Sequence, residues 1–366
     1  MRTNDDSNPE DDPPVNDTGE LRRVVSQCEY ETVENYETNT ASYPLRLFFT
    51  KMTAATHYKP EVYSKSGEIS QHERGVQAQY DTAEKRAFYA QVMGDGTSNI
   101  HFGKWDDDID VTQEGAYGKA SDAMTDYMFA LATDLLARNS STLSYVDLGS
   151  GTGGAAIRLL SAHPSLTATC LNLCEAQNAT AQQDAVAAGV ADRFTVRTGS
   201  YDQAQALLLP ENNKQPGLFD VCFSQDAFVH SFSKVRTYEQ ALAVTKPGGV
   251  FVFCDLMCGD GPDVSEDELA TFAATNMVND WLSPAQNVKA CEQAGWQDVV
   301  FIDMTVDIKK SFQLMGQKVT RLIESGAAKD IDPVLLDTYR QNLAARVGQV
   351  DRGVFSWGVI HARKAE

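Results

Sequence analysis

From residue 144 onward the chain alternates short apolar runs with helical stretches of about ten residues or more, and that alternation leaves few folds open to it. SYVDLGS, TATCLNL, FTVRTGS, FDVCFSQ, GGVFVFCDL, DVVFIDM and FSWGVIHAR read as seven strands. GGAAIRLLSAH, EAQNATAQQDAVAAGV, KVRTYEQALAVTK and PAQNVKACEQAG read as helices between them. Strands joined through helices of this length pair in parallel by right-handed crossovers. The expectation is an α/β chain with a doubly wound, mostly parallel sheet, helices on both faces, and ligands held beyond the carboxyl ends of the strands.

One stretch departs from the alternation. Residues 307–350 form a long helical excursion before the last strand, and an excursion of that size often covers the ligand crevice, so a lid insertion is expected there. Upstream, residues 1–25 are rich in Asp, Asn and Pro without apolar periodicity and read as a disordered acidic tail. Residues 26–115 read as a helical cap on the substrate side, with helix-like stretches at 45–56 and 81–93, the second running into the glycine-punctuated GDGTSNIHFGKWDD. Residues 116–366 form the α/β domain.

The formal charge of −20 argues against nucleic acid as a partner, because such a field repels phosphate. No window approaches about eighteen uninterrupted apolar residues, so no membrane span is expected. Cys170 and Cys174, like Cys254 and Cys258, have C-x3-C spacing, but no further ligand stands at finger spacing. These cysteines read as buried thiols in a reducing cytoplasm, with no metal.

Gly149, Gly151 and Gly154 satisfy the dinucleotide spacing G-x-G-x-x-G, which raises a nicotinamide or flavin reading. Glycines after a first strand let the backbone approach a ligand, and the next helix offers free N–H groups, which suits a pyrophosphate or an amino-acid carboxylate equally. Asp147 separates the two. A carboxylate there opposes a pyrophosphate and attracts the ammonium of a methionine-like group.

VDLGSGTGG resembles the first motif of class I methyltransferases that use S-adenosylmethionine, which implies a Rossmann-like fold and that cofactor. By the resemblance, Asp147, Gly149, Ser150, Gly151 and Gly153 would hold the methionine part. Asn172 stands where such enzymes place an acid for the ribose hydroxyls, Ser200 and Tyr201 become adenine neighbours, and Ser224 is a further cofactor candidate. FDVCFSQDAFVHS is similar to the small-amine N-methyltransferases, namely those acting on sarcosine and dimethylglycine and, less closely, on phosphoethanolamine. YDTAEKRAFYAQVMGDGTSNIHFGKW and FSWGVIHARK resemble the first of these groups, and the likeness spans roughly residues 80–360.

What the resemblance implies is N-methylation of a small amine, sarcosine or dimethylglycine, towards glycine betaine. His230 becomes the candidate general base, with Gln225 and Asp226 beside it; Asp226 would attract a cationic substrate or fix His230. Tyr89, His101 and Trp357 become substrate-side candidates, since aromatic faces hold soft cations. Arg86, Lys104, Lys318 and Arg321 are the cations considered for a substrate carboxylate. Another acceptor (a phosphobase or a sugar hydroxyl) and a noncatalytic cofactor-binding protein stay open as rivals. So does the choice between monomer and homodimer.

Overall fold

The apolar runs become the seven strands β1 (Leu143–Leu148), β2 (Leu166–Asn172), β3 (Phe194–Thr198), β4 (Phe219–Gln225), β5 (Thr245–Cys258), β6 (Gln297–Asp303) and β7 (Phe355–Arg363). The helices are α1 (Gln71–Tyr80), α2 (Ala83–Tyr89), α3 (Ala116–Leu135), α4 (Gly154–Ala162), α5 (Glu175–Ala187) and α6 (Ala204–Leu208), then α7 (Lys234–Val244), α8 (Glu266–Thr275), α9 (Pro284–Gln293), α10 (Thr305–Ser325) and α11 (Pro333–Asp351). This computed structural model describes residues 67–80, 82–136, 142–209, 217–259, 261, 264–329 and 331–366. The expected acidic tail, the helix at 45–56 and the first part of the cap lie outside the described residues.

The strands form one sheet in the order β3-β2-β1-β4-β5-β7-β6. β1 to β5 pair in parallel, while β7 runs antiparallel between β5 and β6. The expected doubly wound, mostly parallel, Rossmann-like sheet is therefore what the chain forms. The order reverses between β1 and β4, and there the carboxyl ends of two adjacent strands leave a crevice.

Parallel strands covered on both faces read as continuous apolar runs. In β1, Tyr145 packs into one core with α3 and α4, while Val146 and Leu148 pack into the other with α7 and α9. The first core also takes Phe88 and Val92 from the N-terminal segment and Ile308, Phe312 and Leu343 from α10 and α11. The apolar stripe of the helical excursion thus shares a core with the segment that precedes α3.

Polar contacts fix the docking. Trp105 donates its backbone N–H to Asp307 (2.7 Å) and its indole N–H to Ser311 (2.9 Å). Phe88 stacks on Tyr339 with centroids 3.8 Å apart, and the backbone N–H of Asp332 donates to Glu84 (2.8 Å). The helix expected at 81–93 ends at Tyr89 and continues as a π-helical turn over Ala90–Gly94. α1, α3, α6 and α8 are additional helices that the sequence pattern did not single out.

Candidate active site

Gly149 leaves β1 at φ +85°, and a Cβ placed there would stand 2.4 Å from that of Ala227. Only glycine lets the β1 loop and the turn after β4 come this close. Gly151, at φ +54°, has open space where a side chain would be, and Gly153 opens α4 from a left-handed conformation. The result is a backbone concavity with a helix N-terminus behind it.

Asp147 stands at the floor of the crevice, between Cys170 of β2 and Phe223 of β4. It is buried, and desolvation raises its pKa to about 7, with the Tyr145 hydroxyl pulling the other way. Among the described residues it has no cationic partner. Ser150 Oγ, with only the Cys170 thiol beside it, and Gln225 Nε2 are also buried without a hydrogen-bond partner. Buried polar groups seldom stay unpaired unless a ligand pairs them. A buried carboxylate without a cation, with the Ser150 hydroxyl in the adjoining glycine loop, fits the charged amino-acid end of S-adenosylmethionine.

Asn172 ends β2 and turns its amide nitrogen to Asn178 Oδ1 (3.0 Å) and Gln177 Oε1 (3.2 Å), which leaves Oδ1 as an acceptor. Tyr201 lays its ring 3.7 Å from where the Gly149 Cβ would be and donates its hydroxyl to Ala227 O (3.3 Å). Ser200 caps the short turn that carries Tyr201, accepting from the Asp202 N–H (3.0 Å). Ser224, fully buried, donates to Leu148 O (2.7 Å) and ties β4 to β1.

The turn after β4 starts with Asp226 at φ +50°. Its carboxylate accepts from the Phe102 N–H (3.0 Å) and the Trp357 indole N–H (2.8 Å), with His101 Nδ1 4.0 Å away. Burial pushes this carboxyl up to about 7 against those donors. Farther along, Lys234 donates to Phe228 O and pairs with Asp255 at 3.1 Å, both side chains 2% exposed. That pair fastens the turn from beneath.

His230 projects from this turn. Its Nε2 lies 2.7 Å from the Tyr80 hydroxyl and its Nδ1 3.4 Å from Met277 O. Because a carbonyl only accepts, Nδ1 carries the proton and Nε2 accepts from the phenol. Desolvation lowers the imidazole pKa to about 4 and raises that of Tyr80, so both groups are neutral near pH 7. Tyr80 lies parallel to Tyr89 at 5.8 Å between centroids. Arg346 of α11 lies over Phe272 (5.4 Å) and Phe312 (5.6 Å), within electrostatic reach of Tyr80, Tyr89 and Tyr339.

Residues 139–326, about half of the chain, match a family described as a methyltransferase domain. The chain belongs to that family. Dimethylglycine N-methyltransferase of Parasynechococcus marenigrum is 28% identical to this methyltransferase over 285 residues, covering 78% of this chain and 94% of the relative. A Galdieria sulphuraria crystal structure, described as a candidate sarcosine dimethylglycine methyltransferase, superposes with a TM-score of 0.64 at 23% identity, over 78% of this chain and 99% of that one. Haemonchus contortus phosphoethanolamine N-methyltransferase 2, solved with S-adenosyl-L-methionine, superposes at 0.63 and 17% identity over 82% of this chain and 61% of its own. The enzyme is a class I methyltransferase that uses S-adenosylmethionine.

Within the methyltransferase, Asp147, Gly149, Ser150, Gly151, Gly153, Asn172, Ser200 and Tyr201 gather around one crevice, with Gln225 at its edge. His230 and Tyr89 gather with Tyr80. Three expectations change. Asp226 does not hold His230; it ties the His101–Phe102 loop to β7. Trp357 is fully buried and faces Phe102 and Asp226, so it backs the wall instead of lining it. Ser224 has its hydroxyl committed to Leu148 and no exposed surface.

Lys104 and Lys318 pair with Asp106 and Asp95. No group of metal ligands exists among the described residues, and no described helix is long and apolar enough to cross a membrane. The sequence does not single out Tyr80 or Arg346. Tyr80 was visible only as one aromatic among many in the N-terminal segment, and nothing in the motifs marks Arg346.

Proposed function

We propose that the enzyme N-methylates a small amino acid, sarcosine or dimethylglycine, towards glycine betaine. One observation carries the reading: the hydrogen-bonded Tyr80–His230 pair, held neutral by burial. The Parasynechococcus relative is named for dimethylglycine, and the match to it covers 78% of this chain and 94% of its own length.

S-adenosylmethionine, when bound, supplies a methyl group already activated as a sulfonium. Asp147 would take its ammonium, Asn172 Oδ1 a ribose hydroxyl, and Ser200 and Tyr201 the edge of the adenine. The rest of the work is position and proton handling. A secondary amine arrives as an ammonium and must lose a proton before its lone pair can attack. A partly desolvated pocket lowers the amine's proton affinity, and Tyr80 can accept that proton while its own passes to His230 Nε2. A tertiary amine has no N–H left once it is neutral, so the pair then serves to orient it. Tyr80 and Tyr89 present aromatic surface to the quaternary cation that forms. The α10–α11 hairpin, as a lid, would keep water from this exchange.

The test is methyl transfer from labelled cofactor to a panel of glycine, sarcosine, dimethylglycine, phosphoethanolamine and simple phenols. Label is expected in sarcosine and dimethylglycine. Label confined to phosphoethanolamine or the phenols overturns the reading.

A further inference from the structure

An amino-acid acceptor needs its carboxylate held as well as its nitrogen, and of the cations considered from the sequence Lys104 and Lys318 are already paired with Asp106 and Asp95. Arg346 is in a different situation. In a chain with 51 acidic residues against 31 Lys and Arg, its guanidinium meets no carboxylate among the described residues. Its hydrogen bonding amounts to one long bond to Asn276 Oδ1 at 3.4 Å. Other arginines of the chain have anions: Arg158 holds Asp122 and Asp126, Arg340 holds Asp337, and its neighbour on the same helix, Arg352, holds Glu268 at 2.5 Å. The surroundings of Arg346 are instead the rings of Phe272, Phe312, Tyr89, Tyr339 and Tyr80, and burial lowers its pKa. A half-buried cation in an aromatic setting, with most of its five donors unused, is a costly arrangement unless an anion arrives.

Its position relates it to the reacting nitrogen. Asn276 and Met277 form one tight turn, with Met277 at φ +52°. Asn276 accepts from Arg346 through its side chain, and Met277 O lies 3.4 Å from His230 Nδ1. Arg346 and His230 thus flank the same two-residue turn, and Tyr80 is the phenol that both sense. One turn thus links a guanidinium, which suits a carboxylate, to an imidazole, which suits an amine.

We propose that Arg346 receives the substrate's carboxylate and so selects amino acids over neutral amines. The proposal rests on the N-methylation reading and deepens it. A single planar guanidinium matches one planar carboxylate in two-pronged fashion. A phosphate dianion calls for more cations than one guanidinium.

The experiment compares wild type with Arg346→Met and Arg346→Lys on dimethylglycine and on dimethylaminoethanol, which keeps the amine and lacks the carboxylate. Binding of S-adenosylhomocysteine and of glycine betaine is followed by calorimetry. Removing one partner of a desolvated charge pair typically costs two orders of magnitude or so. Arg346→Met should therefore raise KM for dimethylglycine about 100-fold. It should weaken betaine binding alike, leave S-adenosylhomocysteine affinity unchanged, and leave the weak reaction with dimethylaminoethanol unchanged. Arg346→Lys should recover part of the loss, since a point charge replaces the fork. An unaltered KM for dimethylglycine in Arg346→Met overturns this proposal alone. Wild-type enzyme that transfers methyl to no carboxylated amine overturns the proposal together with the substrate reading beneath it.

Discussion

The two sides of the crevice are built in different ways. The cofactor side is largely one loop: Asp147, Gly149, Ser150, Gly151 and Gly153 follow one another within a single strand-to-helix turn, and only Asn172, Ser200 and Tyr201 come from the next two strand ends. The proposed acceptor side is assembled across the chain. Tyr80 comes from α1, His230 from the turn after β4, Asn276 from beyond α8 and Arg346 from α11. A local motif can be rigid on its own because its geometry is set by backbone conformation. A composite site depends on the packing that brings its helices together, and it can change acceptor without disturbing the cofactor.

Substitutions can break or sharpen this contrast. The largest stability loss is expected from Lys234→Met, which leaves Asp255 buried without its cation and releases the carbonyl of Phe228. Removing one partner of such a pair costs about 3–5 kcal/mol, readable as a shift in the urea midpoint. If the sides are separable, the surviving folded enzyme should lose acceptor affinity more than cofactor affinity. Equal losses would join the two sides.

Gly149→Val comes next. Its Cβ would collide with Ala227, and valine resists φ +85°, so roughly 3 kcal/mol of stability should be lost. Here the asymmetry should reverse, with S-adenosylhomocysteine binding abolished in calorimetry. Retained cofactor binding would contradict the close approach of the two loops.

The smallest effect is a pH dependence. Asp147 has its folded pKa raised to about 7, so the folded state holds a proton that the unfolded chain has given up. Its contribution is full below about pH 4 and is lost as pH rises through 7. Asp202 and Asp226, also raised to about 7, share that sign. His101 and His230, lowered to about 4, act oppositely, with stability gained as pH rises from 4 to 6.5. The window free of that opposition is pH 6.5 to 8. There the cofactor-free Asp147→Asn variant should gain roughly 1 kcal/mol relative to wild type, measured by denaturant unfolding at both pH values. A constant difference across the window would mean that Asp147 is ordinarily ionised.

The contrast also explains what the sequence made legible. Strands buried on both faces announce themselves as apolar runs, and a glycine loop that must hold positive φ is visible in its residues, so the sheet and Asp147 through Gly153 could be read directly. The Tyr80–His230 pair could be read only by half. The histidine sits in a recognisable strand-end segment, while its partner lies 150 residues away on a helix without a motif. Arg346 was invisible because a surface arginine and an unpaired one in an aromatic setting look alike in sequence. Asp226, Trp357 and Ser224 drew attention for their place in or near the same segments, yet their hydrogen bonds are spent inside the scaffold. Chain position alone could not tell a residue facing the crevice from one bracing it.

The most direct test of the division between the two sides is His230→Ala, with kcat for dimethylglycine and the S-adenosylhomocysteine Kd measured on the same preparation. The expected result is a kcat lower by about 100-fold or more, as for loss of a positioned acid–base group, with Kd changed by less than about twofold. Parallel losses in both quantities would mean that His230 holds the scaffold together and that the crevice has one site where two are described.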